Sequence, residues 1–143
     1  MPSLYVALAI AAAFYAVVEA LWLVLMRPFY ASQFARFSRS PTLAVRSVAA
    51  AIGAYALLAV TFYGLVLRGL ADRRVSCPWT AAGAGALYGL AVYGVYNATN
   101  KATLPGYPWA MVAVDTAWGA TAFAAVAVVF LFGMAASRHP EKK

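Results

Sequence analysis

The sequence predicts an all-α integral membrane protein: a single membrane domain over residues 1–143, folded as a four-transmembrane-helix bundle. Three observations carry this. The chain is 65% hydrophobic and only 10% charged, whereas soluble domains are nearer half apolar and a quarter charged. It holds four apolar runs of the ~20 residues that a ~30 Å hydrocarbon layer demands. Nearly all of its 11 Lys and Arg residues fall between or beyond those runs, where headgroups and water receive them. The formal charge of +7 therefore points to the lipid bilayer as partner and away from nucleic acid. One cysteine, Cys77, leaves no internal disulfide and no thiol metal cluster, and the single His139 leaves no multi-histidine metal site.

The first helix is expected over about 4–26. It is too long for a signal-peptide core and lacks a basic start, so it reads as a retained span. Arg27-Pro28 ends it, because proline breaks the hydrogen-bond ladder and arginine seeks the interface. In the linker, Tyr30, Phe34 and Phe37 are spaced at four and three and share one helical face, which suits a short helix lying in the membrane surface. Ser40-Pro41 is a helix start, with a capping oxygen and proline in the first turn. The second span follows over about 42–67, then a loop carrying Arg73 and Arg74. The third span, about 79–101, contains Ala81-xxx-Gly85-xxx-Gly89, a face of small residues that permits close helix contact. Pro105-Gly106 turns the chain into the fourth span, about 108–135, and the tail from Ser137 is polar. Four spans place both termini on the same side. Lys and Arg number five on one side and six on the other, an imbalance too small to orient the bundle.

The polar residues converge. Glu19 lies about two turns before Arg27, and Asp115 about two turns after Pro108, so both sit roughly 10 Å below the same interface at ~1.5 Å per residue. Asn97 and Asn100 precede Pro105 by one to two turns. Tyr15, Glu19 and Trp22 share a face of the first helix; Tyr93, Tyr96, Asn97 and Asn100 share one of the third; Met111, Asp115 and Trp118 share one of the fourth. Glu19-Ala-Leu-Trp22 is echoed by Asp115-Thr-Ala-Trp118. Carboxylates in hydrocarbon face the bundle interior, paired or hydrated. Lys101, at the same mouth, is placed to pair with one of them. Asn97, Thr99, Asn100 and the tyrosine hydroxyls are placed to bond to them. Trp22, Trp118, Tyr93 and Tyr96 are placed to wall a pocket or cage a cation.

At these residues the chain resembles a family of small integral membrane proteins known as domain of unknown function 2177. The matching elements are acid-x-x-Trp-Leu from Glu19 to Leu23, Tyr-x-x-Thr-Asn-x-x-Thr-Leu at Tyr96, Thr99, Asn100, Thr103 and Leu104, and Asp-x-x-Trp-Gly at Asp115, Trp118 and Gly119. The resemblance covers almost the whole chain and implies a four-helix membrane fold with no assigned activity. The family pattern favours Asp at the positions held here by Glu19 and Asn97, so Asn97 removes a third acid.

Glu19 and Asp115 admit two readings, a functional site or a buried polar knot that fixes helix register. Three functions follow. The first is transport of protons or small organic cations through the polar site, by a homodimer, since four helices enclose little space. The second is an accessory subunit of a larger membrane complex, the site then structural or holding a lipid or pigment. The third, an intramembrane lipid-modifying enzyme with Asp115 or Glu19 as general base, ranks last because no nucleophile, metal set or phosphate cradle is evident. No cofactor is otherwise implied. Asn97-Ala-Thr99 matches a glycosylation sequon but lies too close to the membrane for modification.

Overall fold

The computed structural model describes residues 2–36 and 48–136. The Ser40-Pro41 helix start, Phe37, Arg39, Arg46 and the tail from Ser137 lie outside the described residues. Every regular element described is helical. Helix α1 spans Pro2–Leu25 and α2 spans Arg27–Phe34, with Pro28 in its first turn. The same Arg-Pro pair thus closes one helix and opens the next, since proline needs no amide partner there. Tyr30 and Phe34 lie on this short helix.

Helix α3 spans Val48–Asp72. It runs about a turn past the expected end at 67, through a π-helical turn at Tyr63–Leu67. The stop comes at Arg74, which takes the left-handed conformation at φ 49°. The amides of Arg74 and Val75 bond back to the carbonyls of Ala71 and Leu70 at 3.2 and 3.1 Å. This is a Schellman ending with arginine in the slot that glycine usually fills. Nothing in the Arg68–Asp72 stretch forbids helix, so the charge at Arg68 alone did not end it.

Helix α4 spans Pro78–Thr103 and α5 spans Trp109–Ala136. Gly106, at φ 81°, turns the chain between them. The two pack antiparallel over their whole length. A Cβ at Gly85 would collide with the Phe123 carbonyl, and one at Gly89 with the Gly119 carbonyl. The Ala81, Gly85, Gly89 face is buried, so it is used inside the chain, against α5. Helix α1 lies on another side of α5, also antiparallel: Ala7 backs onto Gly133 near one end, and Glu19 reaches Trp118 towards the other.

Phe123 gathers the bundle. Its ring centroid lies 5.3 Å from Tyr15 of α1, 4.7 Å from Phe62 of α3 and 4.9 Å from Tyr88 of α4. Aromatic pairs at such separations and tilts add about 0.5–1.5 kcal/mol each beyond area burial. Helix α3 joins this core through Phe62, Val66, Leu67 and Leu70, all buried, while Val48, Ile52, Leu57 and Val60 stay exposed.

Among the described residues, three helices are long and apolar enough to cross a membrane: Leu4–Leu25, Val48–Asp72 and Trp109–Ala136. The expected fold is therefore met at the level of an all-α, membrane-type protein. Helix α4 has the length, 26 residues, but its glycines, Thr80, Asn97, Asn100 and Lys101 dilute its apolar character.

Candidate functional site

The site grows from two short echoes. Helix α1 presents Glu19 and Trp22 three residues apart, and α5 presents Asp115 and Trp118 three residues apart. Antiparallel packing lays the two tryptophans face to face, with centroids 4.2 Å apart and planes 3° from parallel. Each indole then serves the other helix's acid. Trp118 Nε1 donates to Glu19 Oε2 at 3.0 Å. Trp22 Nε1 donates to the Tyr30 hydroxyl at 3.0 Å, and that hydroxyl donates to Asp115 Oδ1 at 2.7 Å.

The second oxygen of each acid takes a different partner. Asp115 Oδ2 accepts from Asn97 Nδ2 at 2.8 Å. Glu19 Oε1 accepts a long 3.4 Å bond from the Tyr55 hydroxyl of α3. Asn97 is fully buried and its amide is used on both sides. It donates also to the Tyr93 carbonyl at 2.9 Å and accepts from the Tyr107 hydroxyl at 2.7 Å. An aspartate there could not donate to Asp115 and would set a second carboxylate against it. Burial also excludes glycosylation at Asn97.

Two phenols at the rim are held protonated. Burial, and then its bond to Asp115, push the Tyr30 phenol well above its ordinary range. Burial likewise raises Tyr107, against a hydrogen bond from Asn100 that lowers it. A phenol is a donor at neutral pH in any case, and the upward push keeps both so further into the alkaline range.

The structure brings Glu19, Trp22, Asn97, Asp115 and Trp118 together, with Tyr93 beside them; the Tyr93 hydroxyl lies 3.4 Å from that of Tyr15. Asn100 sits one turn further out, against Tyr107. Tyr96 is 60% exposed and Thr99 is exposed as well, so neither walls the site. Tyr96 shares a face of α4 with Asn97 by spacing, but only the Asn97 side of it turns towards α5; Thr99, two residues on from Asn97, lies on the opposite side of the helix. Lys101 pairs with neither acid. Its Nζ donates to the Tyr107 carbonyl at 2.6 Å and lies 5.2 Å from the Trp109 ring centroid. The ammonium thereby closes the α4–α5 turn, which is nearer than either carboxylate.

Tyr30, Tyr55 and Tyr107 were not legible as site residues. Tyrosine in an apolar chain reads as interfacial packing, and nothing local to these positions marks them as donors. Tyr30 had the one available signal, its place in a short amphipathic segment immediately after the first span.

The two carboxylates share no hydrogen bond with each other. They are joined through the indole stack and Tyr30. Among the described residues the ion pair is Arg68 to Asp72, 3.6 Å apart on the exposed surface. Every described donor to Glu19 and Asp115 is neutral.

The family model described as Predicted membrane protein (DUF2177) matches residues 4–132. No curated protein and no solved structure matches the chain. The match takes in every residue of the polar site, from Glu19 to Trp118, and the chain belongs to the DUF2177 family of predicted membrane proteins.

Proposed function

We propose that this chain crosses the membrane four times and transports protons or small cations through the site between α1, α4 and α5. Support for the fourth crossing is the outer face of α4. Its 26 residues reach about 39 Å at ~1.5 Å per residue. Leu87, Leu90 and Val95 are exposed on it, while Ala81, Gly85, Gly89 and Asn97 turn inward. The fourth crossing puts both termini on one side.

The observation that carries the transport reading is the ligation of the acids. Glu19 and Asp115 lie in otherwise apolar helices and receive neutral donors from Trp118, Tyr55, Tyr30 and Asn97. Neutral donors leave the charge itself uncompensated in a low-dielectric setting. A proton or a mobile cation supplies that compensation, and exchanging one for the other is transport. The two acids differ in what they suit. Asp115 holds two short bonds, at 2.7 and 2.8 Å, and is the fixed member. Glu19 holds one short and one long bond, at 3.0 and 3.4 Å, and is the exchangeable member. One chain contributes all these groups, so a homodimer is not needed to complete the site.

Small size, few residues outside the apolar runs and the small-residue face of α4 suit the alternative of an accessory subunit; of these, the small-residue face is already occupied by α5 of the same chain.

The test is proton flux into proteoliposomes under an imposed gradient. Wild type is expected to conduct, and Glu19→Gln and Asp115→Asn are each expected to lower the rate at least tenfold. Equal flux in both variants and wild type would end the transport reading.

A further inference from the structure

A groove of about 710 Å³ lies between α1 and α3, a volume in the range of small-molecule sites, about 300–1,000 Å³. Ala11, Tyr15 and Glu19 line it from α1, Tyr55 and Leu58 from α3, and Phe123 lies at its floor. Two contacts between α1, α3 and the core bound it. At one end, α3 returns to the core at the π turn, where Phe62 and Leu67 are buried. At the other, the Tyr55 hydroxyl meets Glu19. A π turn in an otherwise regular helix frequently marks a functional position.

We propose that this groove binds a monovalent organic cation with an apolar body, its charge set against Glu19 in place of the Tyr55 hydroxyl. The inference rests on Glu19 being the exchangeable acid of the transport reading. Charge complementarity selects the ligand class. Among the described lining residues Glu19 is the one carboxylate, and there is no Lys, Arg or His. An anionic amphiphile would meet Glu19 unscreened, and a phospholipid phosphate would find no basic partner. A cation gains the carboxylate in a low-dielectric wall, with the rings of Tyr15 and Tyr55 beside it and Tyr63 lining the part that would take the apolar body.

Displacement of Tyr55 is easy and displacement of Trp118 is not. The Tyr55 contact, at 3.4 Å, is at the outer limit of a hydrogen bond. The Trp118 indole, at 3.0 Å, is also clamped by its stack on Trp22. The rims carry exposed Ala12, Ala16 and Val60, so a ligand dissolved in hydrocarbon reaches the groove sideways.

The test is equilibrium binding of tetraphenylphosphonium to the full chain in mild detergent, with tetraphenylborate as a probe of the same shape and opposite charge. Wild type is expected to bind the phosphonium saturably and the borate at least tenfold more weakly. Glu19→Gln is expected to weaken phosphonium binding at least tenfold, and Tyr55→Phe to tighten it severalfold. Ala12→Trp, a change at an exposed rim position, is expected to weaken it at least tenfold by filling the groove. Absence of saturable binding to wild type, equal affinity for borate, or unchanged affinity in both Glu19→Gln and Ala12→Trp would overturn the proposal. The two readings separate cleanly. Flux that needs Glu19 without phosphonium binding removes the groove ligand alone. Phosphonium binding without Glu19-dependent flux removes transport alone.

Discussion

Tyr30 carries more of the polar site than any residue that composition would single out. Its oxygen accepts from Trp22 and its proton goes to Asp115. Tyr30→Phe therefore strands one indole N–H and removes one of the two donors on Asp115. Hydrogen bonds to charged groups are worth about 1.5–3 kcal/mol in water-soluble proteins, and interhelical bonds in membranes average less, about 0.6 kcal/mol. A loss of about 1–2 kcal/mol is expected on unfolding the micellar protein with sodium dodecyl sulfate. Tyr96→Phe, at a 60% exposed position of α4, is expected to change stability by less than ~0.5 kcal/mol. Equal effects of the two changes would show that the Tyr30 bonds contribute nothing. Glu19, Trp22, Asn97, Asp115 and Trp118 were legible one by one, because an acid or amide within an apolar run must find a partner. The donors Tyr30 and Tyr55 were not legible, because a tyrosine hydroxyl is content at an interface and leaves no such demand.

At the scale of the element, α4 and α5 approach so closely that backbone meets backbone. Gly89 faces the Gly119 carbonyl, and a Cβ at Gly119 would run into the Tyr93 ring. Gly89→Val places three carbons where α5 main chain already lies. Overpacking usually costs about 1–3 kcal/mol. A main-chain obstacle does not rotate away, so the expected loss is at or above the top of that range, read as a lower unfolding midpoint in detergent. Gly83→Ala is the matched control. It lies on the same helix with open space around its Cβ position, and the gain in helix propensity is expected to raise stability by about 0.5–1 kcal/mol. The spacing of Ala81, Gly85 and Gly89 made a close contact readable in the sequence. The π turn at Tyr63–Leu67 was not readable, since no proline or polar insertion in those five residues distinguishes them from ordinary α-helix.

At the scale of the molecule, α5 is the axis on which α1 and α4 are laid antiparallel, and α3 is a looser fourth element. The register of α1 on α5 fixes the indole stack and hence the whole polar site. It is testable away from the site. A Cβ at Gly133 would lie 3.1 Å from that of Ala7, a few tenths of an ångström short of the ~3.5–4.5 Å range of disulfides, a gap that a slight parting of the helices closes. With Cys77→Ser as background, Ala7→Cys combined with Gly133→Cys is expected to lose both free thiols on mild oxidation. Tyr5→Cys combined with Gly133→Cys is expected to keep them, because Tyr5 is 67% exposed on a different face. The reverse pattern would place α1 in another register and separate Trp22 from Trp118.

By itself the sequence determined the solvent, the helices and the level of the site. An apolar fraction of 65% must be met by lipid, Arg27-Pro28 and Pro105-Gly106 must end helices, and acids two turns from those breaks must lie at a common depth. It determined also that the glycine face of α4 would meet another helix, because a small-residue stripe has no use on a lipid surface. Only the tertiary structure decided which groups satisfy the acids. Trp118 reaches Glu19 across two helices, Tyr30 folds back onto Asp115 from the linker, and Lys101 goes to the Tyr107 carbonyl instead of to a carboxylate. Helical periodicity states which residues share a face. It does not state which part of that face a neighbour covers, and that is set by the close α4–α5 contact and the α1–α5 register, both of which are sums over many side chains.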